Sequence, residues 1–373
     1  MSRAIIFRKD LLPYSETFIA EQAHHLPSWE PIFCGFKRNT AGFNLIEQKS
    51  VAGKDYHVCI ESDFSRAPKL TSGLHKKLNI LNKNWLLELK KLSPQIIHAH
   101  FGSNALNCIA LSKALNIPLL TTFHGRDITI NKHKKKQDEN LKKVFNSSEK
   151  IIAVSEFIKR KLLERGCPEE KIIQHYIGVN THKFKPSEDD AVEGKVVFVG
   201  RLVEKKGCEY LIKALQKIGP EKNIHLNIIG DGPLMSALKE LSNEAPCNIT
   251  FLGRLSPDQI VDEVQSAQLL CAPSITASTG DQEGLPISIL EALSCGTPVV
   301  GTYSAGIAEA IDDGNNGFLV KERDTDAIAD RISSITEDKD LRKKLSVNAR
   351  QTAVTKFDLD KQSSLLEEIY KGL

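Results

Sequence analysis

The sequence has no apolar run that approaches the roughly 20 residues of a helix that spans a bilayer. Within its first ten residues the only apolar stretch is Ala4–Phe7, which is much shorter than the core of a secretory signal. We therefore expect a protein without a membrane span or a leader, located in the cytoplasm.

Paired cysteine motifs are also missing. The eight cysteines are scattered from Cys34 to Cys295, and none belongs to a C-x-x-C pair. Cys59 and Cys271 lie inside apolar, strand-like runs. This distribution is typical of buried free thiols in a reducing compartment.

The sequence offers no convincing set of metal ligands. His98 and His100 are two residues apart on a predicted strand and face the same way, but no further ligands follow them. The acidic triplets Asp324–Asp326 and Asp358–Asp360 are interpreted as helix starts, where aspartate is a good cap. We therefore expect no metal and no cofactor.

Charge is divided unevenly along the 373 residues. Residues 1–185 carry 30 Lys and Arg against 17 Asp and Glu, whereas residues 186–373 carry 20 against 30. A basic half attracts phosphates in nucleic acid, in anionic lipid or in a substrate. Aromatic residues make up only 6% of the chain and do not interleave with the basic ones, so we expect no nucleic acid partner.

The chain alternates short apolar runs with longer amphipathic stretches, and it does so twice. Runs such as Val196–Val199 are apolar without alternation, as in strands covered by helices on both faces. The pattern predicts two α/β domains with doubly wound, Rossmann-like parallel sheets. The predicted strands are Arg3–Lys9, Pro31–Lys37, Asp55–Ile60, Gln95–Gly102, Pro118–Gly125, Lys150–Ser155, Ile172–Val179, Lys195–Leu202, His225–Asp231, Asn248–Leu255, Ala267–Ser274, Pro298–Tyr303 and Gly317–Val320.

Composition also predicts the domain boundaries. A polar, acidic stretch with Pro186 is interpreted as a linker over residues 186–194. It separates an amino-terminal domain, 1–185, from a second domain, 195–356. The last stretch, 357–373, is helical in pattern, and we expect it to pack back on the first domain. Two such domains facing each other would form a cleft at the carboxyl ends of their strands, where ligands bind in open sheets.

The strongest motif lies in the second half, within the segment Ser274–Val300. A strand is followed by a polar loop and then by a helix that starts near Pro286, whose exposed N–H groups favour an anion. Glu283 lies in the loop, and Glu291 follows eight residues later on the helix. A carboxylate repels phosphate, but it accepts two hydrogen bonds from vicinal hydroxyls of a ribose or a hexose.

A second motif follows the first strand of the same half. Gly200 permits a tight turn, and Arg201 and Lys206 come soon after it. Both cations can reach one pyrophosphate, where they would stabilise the charge of a departing diphosphate. The similar run that ends in Arg254 and Leu255 lacks a lysine pair, and we interpret it as a border of the base pocket.

Together these segments resemble the second domain of the retaining GT-B glycosyltransferases of family 4, and the resemblance covers nearly the whole chain. It implies that Glu291 holds the donor ribose and Glu283 a hydroxyl of the donor sugar. It also implies that the Arg201 and Lys206 pair holds the diphosphate. Many members have glycine where this chain has Pro286, so one backbone N–H is missing. The remaining N–H groups are expected from the neighbours in the same loop: Leu285, Ile287 and Ser288.

Two segments of the first half resemble the same family. His124, with Asp127 to orient it, follows a strand end and is similar to the family's first-domain histidine motif, which holds sugar or acceptor. The segment Pro13–Ile19 looks like the opening of the colanic-acid type exopolysaccharide enzymes. Its Ser15 and Thr17 are expected to cap the first helix.

Basic amphipathic stretches suggest a membrane surface. From Lys69 to Leu92, apolar residues recur at helical spacing among lysines, and a second basic cluster spans Lys132–Lys136. Such helices lie on anionic membrane. An apolar stripe that packs on its own sheet is an equally good interpretation.

The resemblance implies transfer of a hexose, with retention, from a nucleotide-diphosphate sugar to an acceptor hydroxyl. UDP is the expected nucleotide. The expected acceptor is a saccharide or a lipid-linked unit of a cell-surface polysaccharide, at the inner face of the membrane. His124, Glu283, Arg201 and Lys206 are the expected catalytic residues. The alternatives are an epimerase-like enzyme on the same fold and a noncatalytic partner that binds a nucleotide sugar.

Overall fold

The computed structural model describes residues 1–13, 16–39, 56–59, 63, 81–130 and 134–373. These residues form two compact units. Unit 1 comprises Met1–Gly178 and Leu359–Leu373, and unit 2 comprises Val179–Asp358. The division lies a few residues before the linker that composition predicts.

Unit 1 is built on a parallel sheet of seven strands in the order β5-β3-β1-β6-β7-β8-β9. Its strands are apolar on both faces, as a sheet covered by helices requires. Two short strands pair with each other outside this sheet, and the sequence did not predict them because they are polar. The strands are β1 (Ser2–Phe7), β2 (Asp10–Leu11), β3 (Trp29–Gly35), β4 (Lys37–Arg38), β5 (Tyr56–Cys59), β6 (Ile96–His100), β7 (Leu119–Phe123), β8 (Lys150–Ala153) and β9 (Ile172–Gln174).

The helices of unit 1 connect these strands. One begins with Asn82, whose side chain accepts a hydrogen bond from Trp85 N at 3.0 Å, and another begins with Ser155, which caps Ile158 N at 3.2 Å. They are α1 (Thr17–His24), α2 (Lys83–Lys91), α3 (Gly102–Leu115), α4 (Arg126–Thr129), α5 (Lys134–Ser147), α6 (Glu156–Glu164) and α13 (Leu359–Lys371).

The last helix, α13, is part of unit 1 although it ends the chain. Glu367 accepts hydrogen bonds from Ser28 N at 2.7 Å and from Ser28 Oγ at 2.6 Å. Tyr370 is buried, with its ring edge-on to Trp29 and its hydroxyl 2.6 Å from His98 Nδ1. The helix thereby reaches the central strands of the sheet.

Unit 2 is built on a parallel sheet of six strands in the order β12-β11-β10-β13-β14-β15. One core cluster of buried hydrophobic side chains, including Phe198 and Leu226, packs on one face of that sheet. The strands are β10 (Lys195–Val199), β11 (His225–Ile229), β12 (Asn248–Gly253), β13 (Leu269–Ala272), β14 (Val299–Thr302) and β15 (Gly317–Val320).

Helices cover the sheet of unit 2. Ser256 forms a complete capping box with Gln259, and Asp324 accepts a hydrogen bond from Ala327 N at 3.0 Å, which confirms its predicted role as a helix cap. The helices are α7 (Cys208–Leu215), α8 (Met235–Ser242), α9 (Pro257–Gln265), α10 (Ile287–Ser294), α11 (Thr325–Glu337) and α12 (Lys339–Lys356).

The predicted fold class is confirmed, since both units are doubly wound parallel sheets. Every predicted strand is present within the described residues, but most predictions extend too far. The clearest case follows β9, which ends at Gln174. Ile177 and Val179 are buried beyond the ladder, so their hydrophobicity extends the apolar pattern past the strand.

Candidate functional site

Each sheet has one place where the strand order reverses. In unit 1 it lies between β1 and β6, and in unit 2 between β10 and β13. Loops that leave neighbouring strands in opposite directions open a crevice at such a point, and ligands of α/β proteins bind there. The motifs of the second half lie on the loops that follow β10 and β13.

The loop after β10 places Lys206 across Gly200. A Cβ atom on Gly200 would lie 3.3 Å from the Cδ and Cε atoms of Lys206, so the lysine side chain passes directly over the glycine. Gly207 then turns the chain into α7 with φ +65°, and a Cβ there would lie 1.8 Å from the carbonyl oxygen of Pro273. Only glycine fits this close approach, which brings the lysines against the loop after β13.

The loop after β13 is tied down by acidic side chains. Glu204 accepts hydrogen bonds from Ser278 N at 2.7 Å and from Ser278 Oγ at 2.8 Å. Glu322 accepts from Thr276 N at 3.0 Å and from Ser304 Oγ at 2.6 Å. The loop that carries Glu283 is thus held in one conformation before α10 begins.

Two lysines and two carboxylates meet between these loops. Lys206 Nζ lies 3.3 Å from Glu283 Oε1, and Lys205 Nζ lies 3.5 Å from the same oxygen and 3.2 Å from Asp281 Oδ1. We call Lys205, Lys206, Asp281 and Glu283 the cation–carboxylate cluster. Burial raises the pKa of Glu283, but the two ammonium groups outweigh it and hold that pKa below its ordinary value.

The other residues of unit 2 that the sequence predicts for the site do not belong to this cluster. Arg201 is exposed and makes no ion pair with any residue that the structure describes. Glu291 lies on the second turn of α10, as predicted, and is half-buried. Leu285 is buried in the loop, while Ile287 opens the helix. Leu255 follows β12 and is half-buried, beside the surface ion pair of Arg254 with Asp231 at 3.1 Å.

In unit 1, three histidines gather at the ends of β6 and β7. The ring of His98 stacks on that of His100 with centroids 4.3 Å apart, and His100 Nδ1 lies 3.1 Å from His124 Nε2. We call His98, His100 and His124 the histidine cluster. The neighbouring Phe101 packs on His124 with ring centroids 4.5 Å apart.

The histidine cluster is neutral at physiological pH. Burial, together with the neighbouring His98 and the charge of Arg8, lowers the pKa of His124 to about 3. Burial likewise lowers the pKa values of His98 and His100 well below the ordinary value. The buried Nδ1 atom of His124 has no hydrogen-bond partner among the described residues.

Asp127 holds the loop of His124 rather than its ring. Its Oδ1 atom accepts hydrogen bonds from His124 N at 3.1 Å and Gly125 N at 3.0 Å, and its Oδ2 atom accepts from Gly102 N at 3.0 Å. Asp127 therefore contacts His124 through the backbone, and His100 is the residue that contacts the imidazole ring.

Sequence reasoning missed several site residues. It did not single out Lys205 or Asp281, although Lys205 adjoins Lys206 and so offered a signal. Arg8, after β1, has its guanidinium 4.7 Å from the centroid of Phe101 and pairs with Glu16, whose Oε1 is 2.7 Å from Arg8 Nη2. No pattern in the sequence predicts this ion pair.

The expected cap of α1 is not formed by Thr17. The helix begins at Thr17 itself, and Glu16 at the cap position makes no capping hydrogen bond because its carboxylate pairs with Arg8. Ser15 lies outside the described residues.

The predicted amphipathic helix over Lys69–Leu92 falls partly outside the described residues, which resume at 81. In α2, Trp85 and Leu89 are fully buried, and Trp85 Nε1 donates to Val58 O at 3.4 Å. This part of the apolar stripe packs on its own unit. Of the predicted cluster Lys132–Lys136, residues 132 and 133 are likewise outside the described part.

The residues that the structure describes include neither a candidate membrane span nor a candidate metal site. None of the helices there has the length and apolarity of a membrane span. In that same part of the chain, no three His, Cys, Asp or Glu side chains are grouped to hold a metal ion. None of the eight cysteines, all of them among the described residues, forms a disulfide, and seven of them are buried.

Comparison with known proteins identifies the family. Residues 180–352 match the family model for glycosyl transferases group 1, and residues 58–183 match that for Glycosyltransferase Family 4. The chain is 30% identical over 281 residues to the uncharacterized glycosyltransferase MJ1178 of Methanocaldococcus jannaschii, covering 74% of this chain and 75% of that one. The chain belongs to the family 4, group 1 glycosyltransferases.

Two further similar proteins are consistent with this family assignment. The chain is 31% identical over 247 residues to the amylovoran biosynthesis glycosyltransferase AmsK of Erwinia amylovora, a match that spans 64% of this chain and 61% of AmsK. A crystal structure of Anabaena Alr3699/HepE in complex with UDP and glucose superimposes with a TM-score of 0.79 at 20% identity, covering 100% of both chains. Identity this low shows the fold alone, and that fold is GT-B.

Proposed function

We propose that this family 4 glycosyltransferase transfers a hexose from a nucleoside-diphosphate sugar to an acceptor hydroxyl with retention of configuration. The observation that supports it best is the cation–carboxylate cluster at the strand-order reversal of unit 2. A diphosphate needs cations and a sugar needs carboxylate acceptors, and this cluster offers both on two adjoining loops.

In this proposal the donor is held from several sides. Arg201 and Lys206 bind the diphosphate, Glu283 accepts from a hydroxyl of the sugar, and Glu291 accepts from the ribose. Backbone N–H groups of Leu285 and Ile287 face the phosphates at the start of α10. Leu255 borders the base.

The chemistry follows from these roles. The bond between the anomeric carbon and the diphosphate oxygen breaks, and its electron pair leaves with the diphosphate. Lys206 and Arg201 stabilise that charge, so this proposal assigns no step to a metal ion. The acceptor hydroxyl forms the new bond on the same face of the sugar, and its proton leaves with the diphosphate.

Unit 1 supplies a neutral hydrogen-bonding group. Because its pKa is about 3, His124 does not carry charge during turnover. Its buried Nδ1 atom is suited to a hydroxyl of the sugar or of the acceptor, since an imidazole nitrogen either donates or accepts. We assign His124 this role.

The substrates are proposed from the relatives. Since HepE was solved with UDP and glucose, we propose UDP as the nucleotide. AmsK is named for amylovoran biosynthesis, so we propose a polysaccharide repeat unit, on a lipid carrier, as the acceptor.

A peripheral contact with anionic membrane is part of this proposal. The exposed lysines of unit 1 support it, among them Lys83, Lys90 and Lys135, together with the excess of basic residues over 1–185. The buried stripe of α2 is not available for it. We propose an electrostatic contact at the cytoplasmic face.

The test starts with a thermal-shift screen of nucleotide sugars, because a donor that binds the folded state raises its melting point. The best donor is then incubated with and without a saccharide acceptor. Glu291→Ala is expected to lose UDP affinity by roughly 30-fold, about 2 kcal/mol for its hydrogen bonds to the ribose. Glu240→Ala, an exposed glutamate on α8, is the matched control.

Three outcomes contradict the proposal. Consumption of the donor without an acceptor indicates an epimerase-like enzyme, and binding without turnover indicates a noncatalytic partner. A Glu291→Ala variant with the parent's affinity removes the ribose assignment. The anomeric configuration of the product, measured by NMR, decides retention.

A further inference from the structure

The cation–carboxylate cluster contains one more cation than the proposed diphosphate site uses. Lys206 binds the diphosphate in the proposed function, whereas Lys205 lies between two carboxylates, 3.2 Å from Asp281 Oδ1 and 3.5 Å from Glu283 Oε1. We propose that Lys205 is a positioning residue that keeps Glu283 ionised and oriented when Lys206 turns to the diphosphate. This inference depends on the proposed function of Lys206 and Glu283.

Lys205 is anchored to the loop of Glu283 by both its main chain and its side chain. Its carbonyl oxygen accepts a hydrogen bond from Ile275 N at 2.8 Å, and its Nζ donates to Asp281 Oδ1 at 3.2 Å. The preceding Glu204 accepts hydrogen bonds from Ser278 in that same loop. Lys205 therefore stays with this loop.

Lys206 is held differently. Its methylene chain passes over Gly200, which offers no side chain to fix it, and its ammonium lies 3.3 Å from Glu283 Oε1. No other carboxylate of the described residues pairs with it. A rotation about its side-chain bonds moves Lys206 toward a diphosphate and off Glu283 without disturbing the loop.

Charge balance explains why a second cation is needed. The four side chains of the cluster are between 10% and 18% exposed, and their formal charges cancel. Departure of Lys206, with the arrival of an anion, leaves a buried carboxylate beside negative charge. Such a group takes up a proton unless another cation stays within about 4 Å.

Lys205 is the group that can meet this need. Among the described residues, the charged groups facing Glu283 are Lys205 and Lys206, with Asp281 behind Lys205. At 3.5 Å from Glu283 Oε1, Lys205 continues to favour the ionised form after Lys206 has moved. Asp281 prevents Lys205 from following Lys206 to the phosphates.

The first measurement is calorimetric titration of UDP into the full chain at pH 6, in buffers of different ionisation enthalpy. Compared with the parent, Lys205→Gln is expected to take up additional protons as UDP binds, because Glu283 then lacks a cation. Its affinity for UDP is expected to stay within about twofold, and Lys205→Arg to restore the parent's proton balance, since arginine stays charged. Lys213→Gln, at a half-buried lysine of α7 that pairs with Glu209, is the matched control.

The second measurement is the pH profile of sugar transfer. Lys205→Gln is expected to lose between about threefold and tenfold in kcat at pH 6, and less at pH 8, because the loss of this ammonium group raises the pKa of Glu283. Asp281→Asn, which keeps the cation but loosens its anchor, is expected to shift the profile in the same direction by less. If Lys205→Gln does not fold, the pH profile of Asp281→Asn tests the role of Lys205.

Several results overturn the inference. They are proton uptake equal to that of the parent, a loss of kcat that is the same at all pH values, or a UDP affinity reduced tenfold, which makes Lys205 a ligand of the diphosphate. A parent protein that binds UDP but transfers no sugar contradicts the proposed function instead, and proton uptake still decides the role of Lys205.

Discussion

Unit 1 gathers neutral histidines at the carboxyl ends of β6 and β7, next to its strand-order reversal, whereas unit 2 gathers charged lysines and carboxylates on the loops after β10 and β13, at its reversal. In unit 1, burial lowers the pKa values of His98, His100 and His124, and their rings stack. In unit 2, opposite charges hold Glu283 ionised although it is buried. One fold thus supports two kinds of chemistry.

The difference shows how each unit tolerates polar groups in its interior. A buried imidazole loses its charge at little cost, because its neutral form still donates one hydrogen bond and accepts another. A buried carboxylate accepts hydrogen bonds from hydroxyls through both oxygens only while it is ionised, so it needs cations close by when it lies near phosphates. The neutral cluster suits a polar but uncharged group, and the charged cluster suits an anion attached to a sugar.

Lys206→Ala is the strongest test of this contrast. It is expected to lower sugar transfer by about 100-fold or more while the protein stays folded, because it removes the cation that we propose stabilises the leaving group. Initial rates and circular dichroism measure the two effects. Lys213→Ala, which removes a half-buried lysine of α7 that pairs with Glu209, serves as the control. Transfer by Lys206→Ala at the parent's rate contradicts the assignment.

Acidification is expected to destabilise unit 1 at a higher pH than unit 2. The pKa of His124 is about 3 in the folded state and about 6.5 in an unfolded chain. Between these values the unfolded state binds more protons, so stability falls as pH decreases, by about 2 kcal/mol at pH 5 for this histidine. His98, His100 and His175 change in the same direction.

Unit 2 is expected to lose stability only at a lower pH. The pKa of Glu283 is below its ordinary value, so the stability that it contributes is fully present above pH 4.5 and is lost only as pH falls further. His225 also has a lowered pKa, but it is only half-buried. Hydrogen exchange from pH 7 to 5, corrected for intrinsic rates, measures this. Equal loss of protection in β7 and β10 contradicts the expected order.

The sequence predicts the fold well because each strand and turn is specified by residues that are adjacent in the chain. Strands such as Lys195–Val199 are continuous apolar runs, and the turn at Gly200 and the start of α10 after Pro286 have clear residue signals. The pairing of Lys205 with Asp281, 76 residues apart, depends on how two loops approach each other. The partner of the His124 ring, His100, is on a neighbouring strand, so only the sheet register reveals it.

The smallest expected effect concerns the link between the histidine cluster and the end of the chain. Tyr370→Phe removes the hydroxyl that lies 2.6 Å from His98 Nδ1 and leaves that nitrogen buried without it. The loss of one buried hydrogen bond is expected to destabilise unit 1 by about 1 kcal/mol and to lower its melting temperature by about 3 °C. Tyr303→Phe, at an exposed tyrosine of unit 2, is the matched control and is expected to melt like the parent. If both variants melt alike, α13 contributes nothing to the histidine cluster through this bond, and the neutral cluster is held by its own strands alone.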